Sequence, residues 1–181
     1  QAAAGMRDAR GWRVSGDGLL SGGGRVAAGS TTEVSVSGRG GVPVGAGAAV
    51  LNVTVVDAGA AGFVTVFPCG QAVPNASNLN VAAGQTVPNA VVSKLGVGGT
   101  VCVFSSVSAH VLVDVNGSFP SVSDYASLVP ARLFDSRAPG LTVDGLLSGG
   151  GRVAAGSTTE AAVPGRGGVP EGAGGVVLNV T

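Results

Sequence analysis

Charge and aromatic rings are both scarce in this chain of 181 residues: charged side chains make up 11% and aromatic ones 4%, with one Trp, one Tyr and five Phe. Ten basic residues balance ten acidic ones, so the net charge is zero and no cationic stripe exists to neutralise phosphates. That pattern argues against nucleic-acid binding. Nine of the ten basic residues are arginine, which together with the Ala, Gly and Val excess suggests a GC-rich genome. The single histidine, His110, has no second ligand of suitable type nearby in sequence, so neither a zinc site nor a Ser-His-Asp triad is expected. No stretch of 18 or more apolar residues occurs, and no membrane span is expected. Helical periodicity is nearly absent too, because Gly, Pro and β-branched residues interrupt every window in which it would build. Gln1 reads as a mature start, not as part of a targeting segment.

What the chain does have is a copy of itself. Asp17–Thr54 returns as Asp144–Thr181, displaced by 127 residues without a gap, and 32 of the 38 aligned positions are identical. Farther upstream, Asp8 and Arg10 align with Asp135 and Arg137. A period this long is a domain, not a solenoid unit. Residues 1–127 are therefore read as one complete module, and residues 128–181 as the first part of a second copy, too short to fold alone. Pro120 and Pro130 bracket the junction, Ser121–Val129.

Within the module, strand signals recur. In His110–Val115, Val111, Val113 and Val115 share one face while His110, Leu112 and Asp114 share the other. Phe63–Phe67, Ala49–Val56, Thr100–Phe104, Ala90–Leu95, Arg25–Val36 and Leu133–Arg137 complete the series, separated by Gly-rich turns and by Asn116-Gly117. Seven to eight short strands per repeat imply an all-β fold, an antiparallel β-sandwich of jelly-roll or Ig-like type. The recurrence of Leu51-Asn52-Val53 as Leu79-Asn80-Val81 keeps a β-trefoil as the alternative, although 28 residues is short of a third of the period.

Candidate chemistry is thin. Asp114, Asn116 and Gly117 open like a calcium loop, but the later acidic ligands of that spacing are missing. The sharper expectation is a structural ion pair in which Asp114 engages Arg10 or Arg137, pinning the opening strand to the last. Ser105, Ser106 and Ser108 read as ordinary strand-end serines. Asn52, Asn75, Asn116 and Asn179 match the glycosylation sequon but read as coincidences, with Asn52 and Asn179 bonding neighbouring backbone. Trp12 and Tyr125 do not recur, as a sugar-stacking platform would. Cys69 and Cys102 are either buried thiols or a disulfide; a secreted context favours the disulfide, which on the chain-entropy model would add roughly 3.5–4 kcal/mol.

Five segments, GFVTVFPCG (62–70), ASNLN (76–80), GQTVPNAV (84–91), VCV (101–103) and VDVNGSFP (113–120), carry a resemblance. Together with RLFDSR (132–137), the set resembles the tandem β-repeat modules of large secreted or surface-attached proteins of actinobacteria. The resemblance implies an extracellular spacer, stalk or adhesive unit with no catalytic residues and no cofactor. The first copy departs from the pattern, since Gly5, Arg7 and Trp12 stand where the second has Arg132, Phe134 and Pro139; a terminal or capping copy would explain it.

The expectation is thus a non-catalytic structural and interaction repeat, its copies repeating without a recurring ionisable cluster. The partner is itself, through head-to-tail copies or neighbouring chains; the alternative is a module that binds a glycan or matrix ligand. Two N-terminal halves competing for one set of partner strands would leave Val176, Val177, Leu178, Asn179 and Val180 as an unpaired assembly strand.

Overall fold

A computed structural model describes residues 5–8 as backbone and residues 23–181 with side chains. The described residues divide into two compact units: those up to Val73, with Ser77–Ser127 and Asn179–Thr181, form the first, and Pro74–Ala76 with Leu128–Leu178 the second.

Among the described residues, the first unit is an antiparallel sandwich of eight strands: β1 (Gly5–Asp8), β2 (Ser30–Ser35), β3 (Ala46–Val56), β4 (Gly62–Pro68), β5 (Leu79–Val81), β6 (Val87–Lys94), β7 (Thr100–Ser105) and β8 (His110–Pro120). One sheet runs β1-β8-β3-β6 and the other β2-β7-β4-β5. The pairs β1·β8, β2·β7, β3·β6 and β4·β5 are nested, as in a long hairpin folded at β4–β5 and rolled up. That order is a jelly roll, and the trefoil alternative falls, because two stacked sheets leave no threefold arrangement.

Alternation builds the interior. Val34, Leu51, Val53, Val55, Val64, Val66, Val101 and Val113 are fully buried, and the core cluster consists of Val, Ala and Leu alone. Stiff β-branched side chains suit strands on entropic grounds, and Phe67 is the one buried aromatic among the described residues. Val111, Val113 and Val115 point inward as their alternation predicts, with His110, Leu112 and Asp114 half-buried on the opposite face.

Two sequence expectations change here. Asn116-Gly117 is not a turn. The β3·β8 register jumps from Leu51↔Val115 to Val50↔Gly117, so Asn116 is the extra residue of a β-bulge and β8 continues to Pro120. Leu133–Arg137 is not a strand. Its only ladder contact is an isolated bridge between Asp135 and Ser148, and residues 128–178 contain no strand.

The two copies separate local from non-local determinants of structure. Their turns agree bond for bond: the Gly38 N–H donates to the Val42 carbonyl at 2.9 Å and Gly165 to Val169 at 2.9 Å, while Arg39 donates to Val36 at 3.1 Å and Arg166 to Val163 at 3.1 Å. Gly41 and Gly168 both lie at φ +85°, in the left-handed region that glycine enters without steric cost. The strands do not agree. Ala46–Thr54 is ladder on both sides, whereas its copy, residues 173–181, is irregular with Leu178 and Val180 exposed. Turn chemistry closes within a few residues, but a strand needs partners, and β6 and β8 have no counterparts in the second unit.

Candidate functional site

The second unit is organised by two arginine–carboxylate clusters. Asp135, nearly buried, accepts from Arg137 Nε at 2.9 Å, Arg137 Nη2 at 2.7 Å, the Arg137 backbone N–H at 3.1 Å and Arg132 Nη1 at 3.1 Å. Asn75 joins this cluster, its Oδ1 accepting from Arg132 and its Nδ2 donating to the Leu141 carbonyl. In the other cluster, Arg166 Nε and Nη2 grip the two oxygens of Asp144 at 2.5 and 2.9 Å. The same guanidinium donates to the carbonyls of Ala162 at 2.8 Å and Leu133 at 2.8 Å. A planar fork with five donors fits such a convergence of carboxylate and backbone oxygens.

Arg166 has a counterpart. Arg39, equally buried, donates Nη1 to the Ser35 carbonyl at 2.9 Å, just as Arg166 does to Ala162. The sequence carries a signal for this pair, since Asp17 and Arg39 recur as Asp144 and Arg166 at the same spacing. An ionisable pair therefore does recur, contrary to expectation, and in the second unit its role is to hold a turn. Asp17 itself lies outside the described residues.

Electrostatics agree with the geometry. The Arg137 hydrogen bond holds the Asp135 carboxyl far below the ordinary carboxylate range, and the Arg166 hydrogen bond does the same for Asp144. A carboxyl whose native pKa is depressed stabilises the fold above its unfolded value and loses that contribution as pH falls toward the native one. Protection of the Asp135, Gly149 and Arg166 amides, corrected for intrinsic exchange rates, should thus be constant from neutrality to about pH 4 and decline below it. Exchange measured by NMR across pH 7 to 2 checks this; a flat profile would show that the clusters hold nothing.

The expected pairing of Asp114 with Arg137 is corrected, because the Arg137 guanidinium is taken by Asp135 two residues away. Asp114 sits on the outward face of β8, opposite Asn52 on β3 and Gly5 on β1. Arg10 and Trp12 lie outside the described residues. His110 opens β8, opposite Val56. The three serines are structural: Ser105 donates to the Val107 carbonyl, Ser106 accepts from the Phe63 N–H, and Ser108 accepts from Arg25. Asn52 donates to Thr54 Oγ1 and not to backbone, whereas Asn179 Nδ2 donates to the Ser77 carbonyl at 2.6 Å.

Cys69 and Cys102 form a disulfide with Cα atoms 5.0 Å apart, tying the segment after β4 to β7. Val176, Val177, Leu178 and Val180 are exposed. Among the described residues, no group of three or more His, Cys, Asp or Glu is gathered to hold a metal, and no helix is long and apolar enough to cross a membrane. No protein-family model matches the sequence, and no curated protein or solved structure gives a significant match.

Proposed function

We propose that this chain is part of a tandem array of jelly-roll modules that serves as a non-catalytic extracellular spacer or fibre, with other copies of itself as partner. One observation carries the reading: what the two copies share is scaffold. The repeated residues include the left-handed glycines of the turns, the buried arginines Arg39 and Arg166, and the apolar strand residues. Exposed polar residues recur as well, Ser30–Glu33 as Ser157–Glu160, but the repeated stretch holds no aromatic, histidine or cysteine around which a ligand site would be built. The disulfide supports an oxidising compartment, and the sequence resemblance to secreted actinobacterial repeat modules points the same way.

A second reading, adhesion to a glycan or surface ligand, is favoured by Phe63 and Phe104. Their rings lie 5.8 Å apart on the outward face of β4 and β7, and Phe63 is 37% exposed. Aromatic faces stack on sugars, and jelly rolls include lectins, although fold alone does not assign function.

Light scattering combined with electron microscopy of the same sample tests the first reading. Elongated regular particles are expected. A compact monomer that binds glycans on an array, and loses that binding in Phe63→Ala, would replace it with the second.

A further inference from the structure

We propose that residues 173–181 are a competent β3, able to replace Ala46–Thr54 between β6 and β8 of the same chain, and that a few core differences decide which copy the sandwich adopts. This inference does not depend on the functional reading above.

The slot is already defined. In β3, Leu51 lies opposite Val91 on β6 and Val115 on β8, and Val53 opposite Asn89 and Val113. Residues 173–181 carry the same pattern, with Leu178 and Val180 in the places of Leu51 and Val53. The turn that leads into the strand is also in place, since Ala173 donates to the Pro170 carbonyl at 3.1 Å as Ala46 does to Pro43 at 3.2 Å. Only pairing is missing.

The chain can reach. In the register of β1, Gly5 lies opposite Asp114, six residues before Pro120, and Gly5 is the counterpart of Arg132. Six strand residues span about 20 Å. The eleven residues 121–131 extend to roughly 36 Å, so a second N-terminal half attached after β8 can bring its opening segment to the position of β1. Val55 and Val56 belong to the shared half and keep their present pairing.

Six positions differ between Asp17–Thr54 and Asp144–Thr181, and three of them fall in the core. Val34 and Ala49, both fully buried, become Ala161 and Val176, and Ala48, also buried, becomes Gly175. The first change leaves a cavity, the second forces extra methyl groups into filled space, and the third loosens the strand backbone. All three favour the first copy, as the structure shows. Tandem repeats are prone to exchange between near-identical halves, and these residues act against it.

Rescue in the full chain tests the proposal. Leu51→Asp places a carboxylate in the core and would unfold a sandwich that had no substitute strand. Here we expect Leu51→Asp to keep a cooperative thermal transition at a lower midpoint, as a monomer, with residues 173–181 newly protected from hydrogen exchange. Leu51→Asp with Leu178→Asp should lose the transition altogether. To separate an incompetent strand from a poorly fitting one, Leu51→Asp is combined with Ala161→Val, Gly175→Ala and Val176→Ala. That chain should melt above Leu51→Asp alone, or melt cooperatively where Leu51→Asp does not. The proposal is overturned if the combined variant is as unfolded as the double aspartate, or if rescue appears only in a particle of doubled mass.

Discussion

Leu51→Ala is expected to lower the stability of the sandwich by about 2–5 kcal/mol, while Leu178→Ala, the same change 127 residues later, should leave it within about 0.5 kcal/mol of the parent. Among the described residues Leu51 is the largest of the fully buried side chains; it sits at the centre of β3, flanked by Val91 and Val115. Truncating it forfeits the transfer free energy of the removed groups and leaves a cavity that a rigid, hydrogen-bonded sheet closes poorly. Leu178 is 57% exposed, so truncation there removes little that folding had buried. Against a net stability of about 5–15 kcal/mol for an ordinary domain, the first change is severe and the second negligible. Urea denaturation followed by circular dichroism measures both. Equal losses would mean that the second copy's strand is already packed in solution, and the contrast between the copies would be void.

That contrast also marks how far sequence reaches in this protein. The period, the eight-strand sandwich and the inward Val111, Val113 and Val115 are all legible, because alternation and turn chemistry are local signals. The turns around Arg39 and Arg166 are legible in the same sense, since the same short sequence produces the same bonds in both surroundings. Strand formation at 173–181 is not, for its sequence is nearly that of β3 and only the partners differ. Leu133–Arg137 misleads for a related reason. Its alternation resembles a strand, yet Asp135 takes its hydrogen bonds from Arg132 and Arg137 within the same segment, and the chain curls around the carboxylate. Asn116-Gly117 signals a turn by composition, but a long β3 pairs past it and absorbs the pair as a bulge. Charge partners were the least legible element. Arg137 has Asp135 two residues away, and that nearer carboxylate takes the guanidinium in place of Asp114.

Replacing Cys69 and Cys102 together by Ala should cost the sandwich roughly 3.5–4 kcal/mol, the second large effect. The bond joins positions 33 apart in sequence, and the segment it encloses contains β5, β6 and a single 3-10 turn, Val97–Gly99. In the folded state the link adds little order, because β4 and β7 already pair, with Phe67 opposite Cys102 and Pro68 opposite Val101. Its effect therefore falls mainly on the unfolded chain, whose freedom it restricts. Among the described residues the core is built of Val, Ala and Leu with Phe67 the one buried aromatic, so it buries less area per side chain than an aromatic-rich core and this entropic share weighs more here. The surroundings will not yield to compensate. Gly96 lies so close to the Cys69 backbone that a Cβ there would clash with it, and the Gly96 N–H is held by the Thr100 carbonyl at 2.8 Å. Denaturant titration of the parent, the Cys69→Ala/Cys102→Ala variant and the parent under reducing conditions separates the causes. If the link acts on the unfolded chain, reduction and substitution should cost about the same, and the slope of stability against denaturant should rise in both as the unfolded chain expands. A loss below about 1 kcal/mol with an unchanged slope would show that the hydrogen-bonded sheet, and not the covalent link, holds β4 to β7.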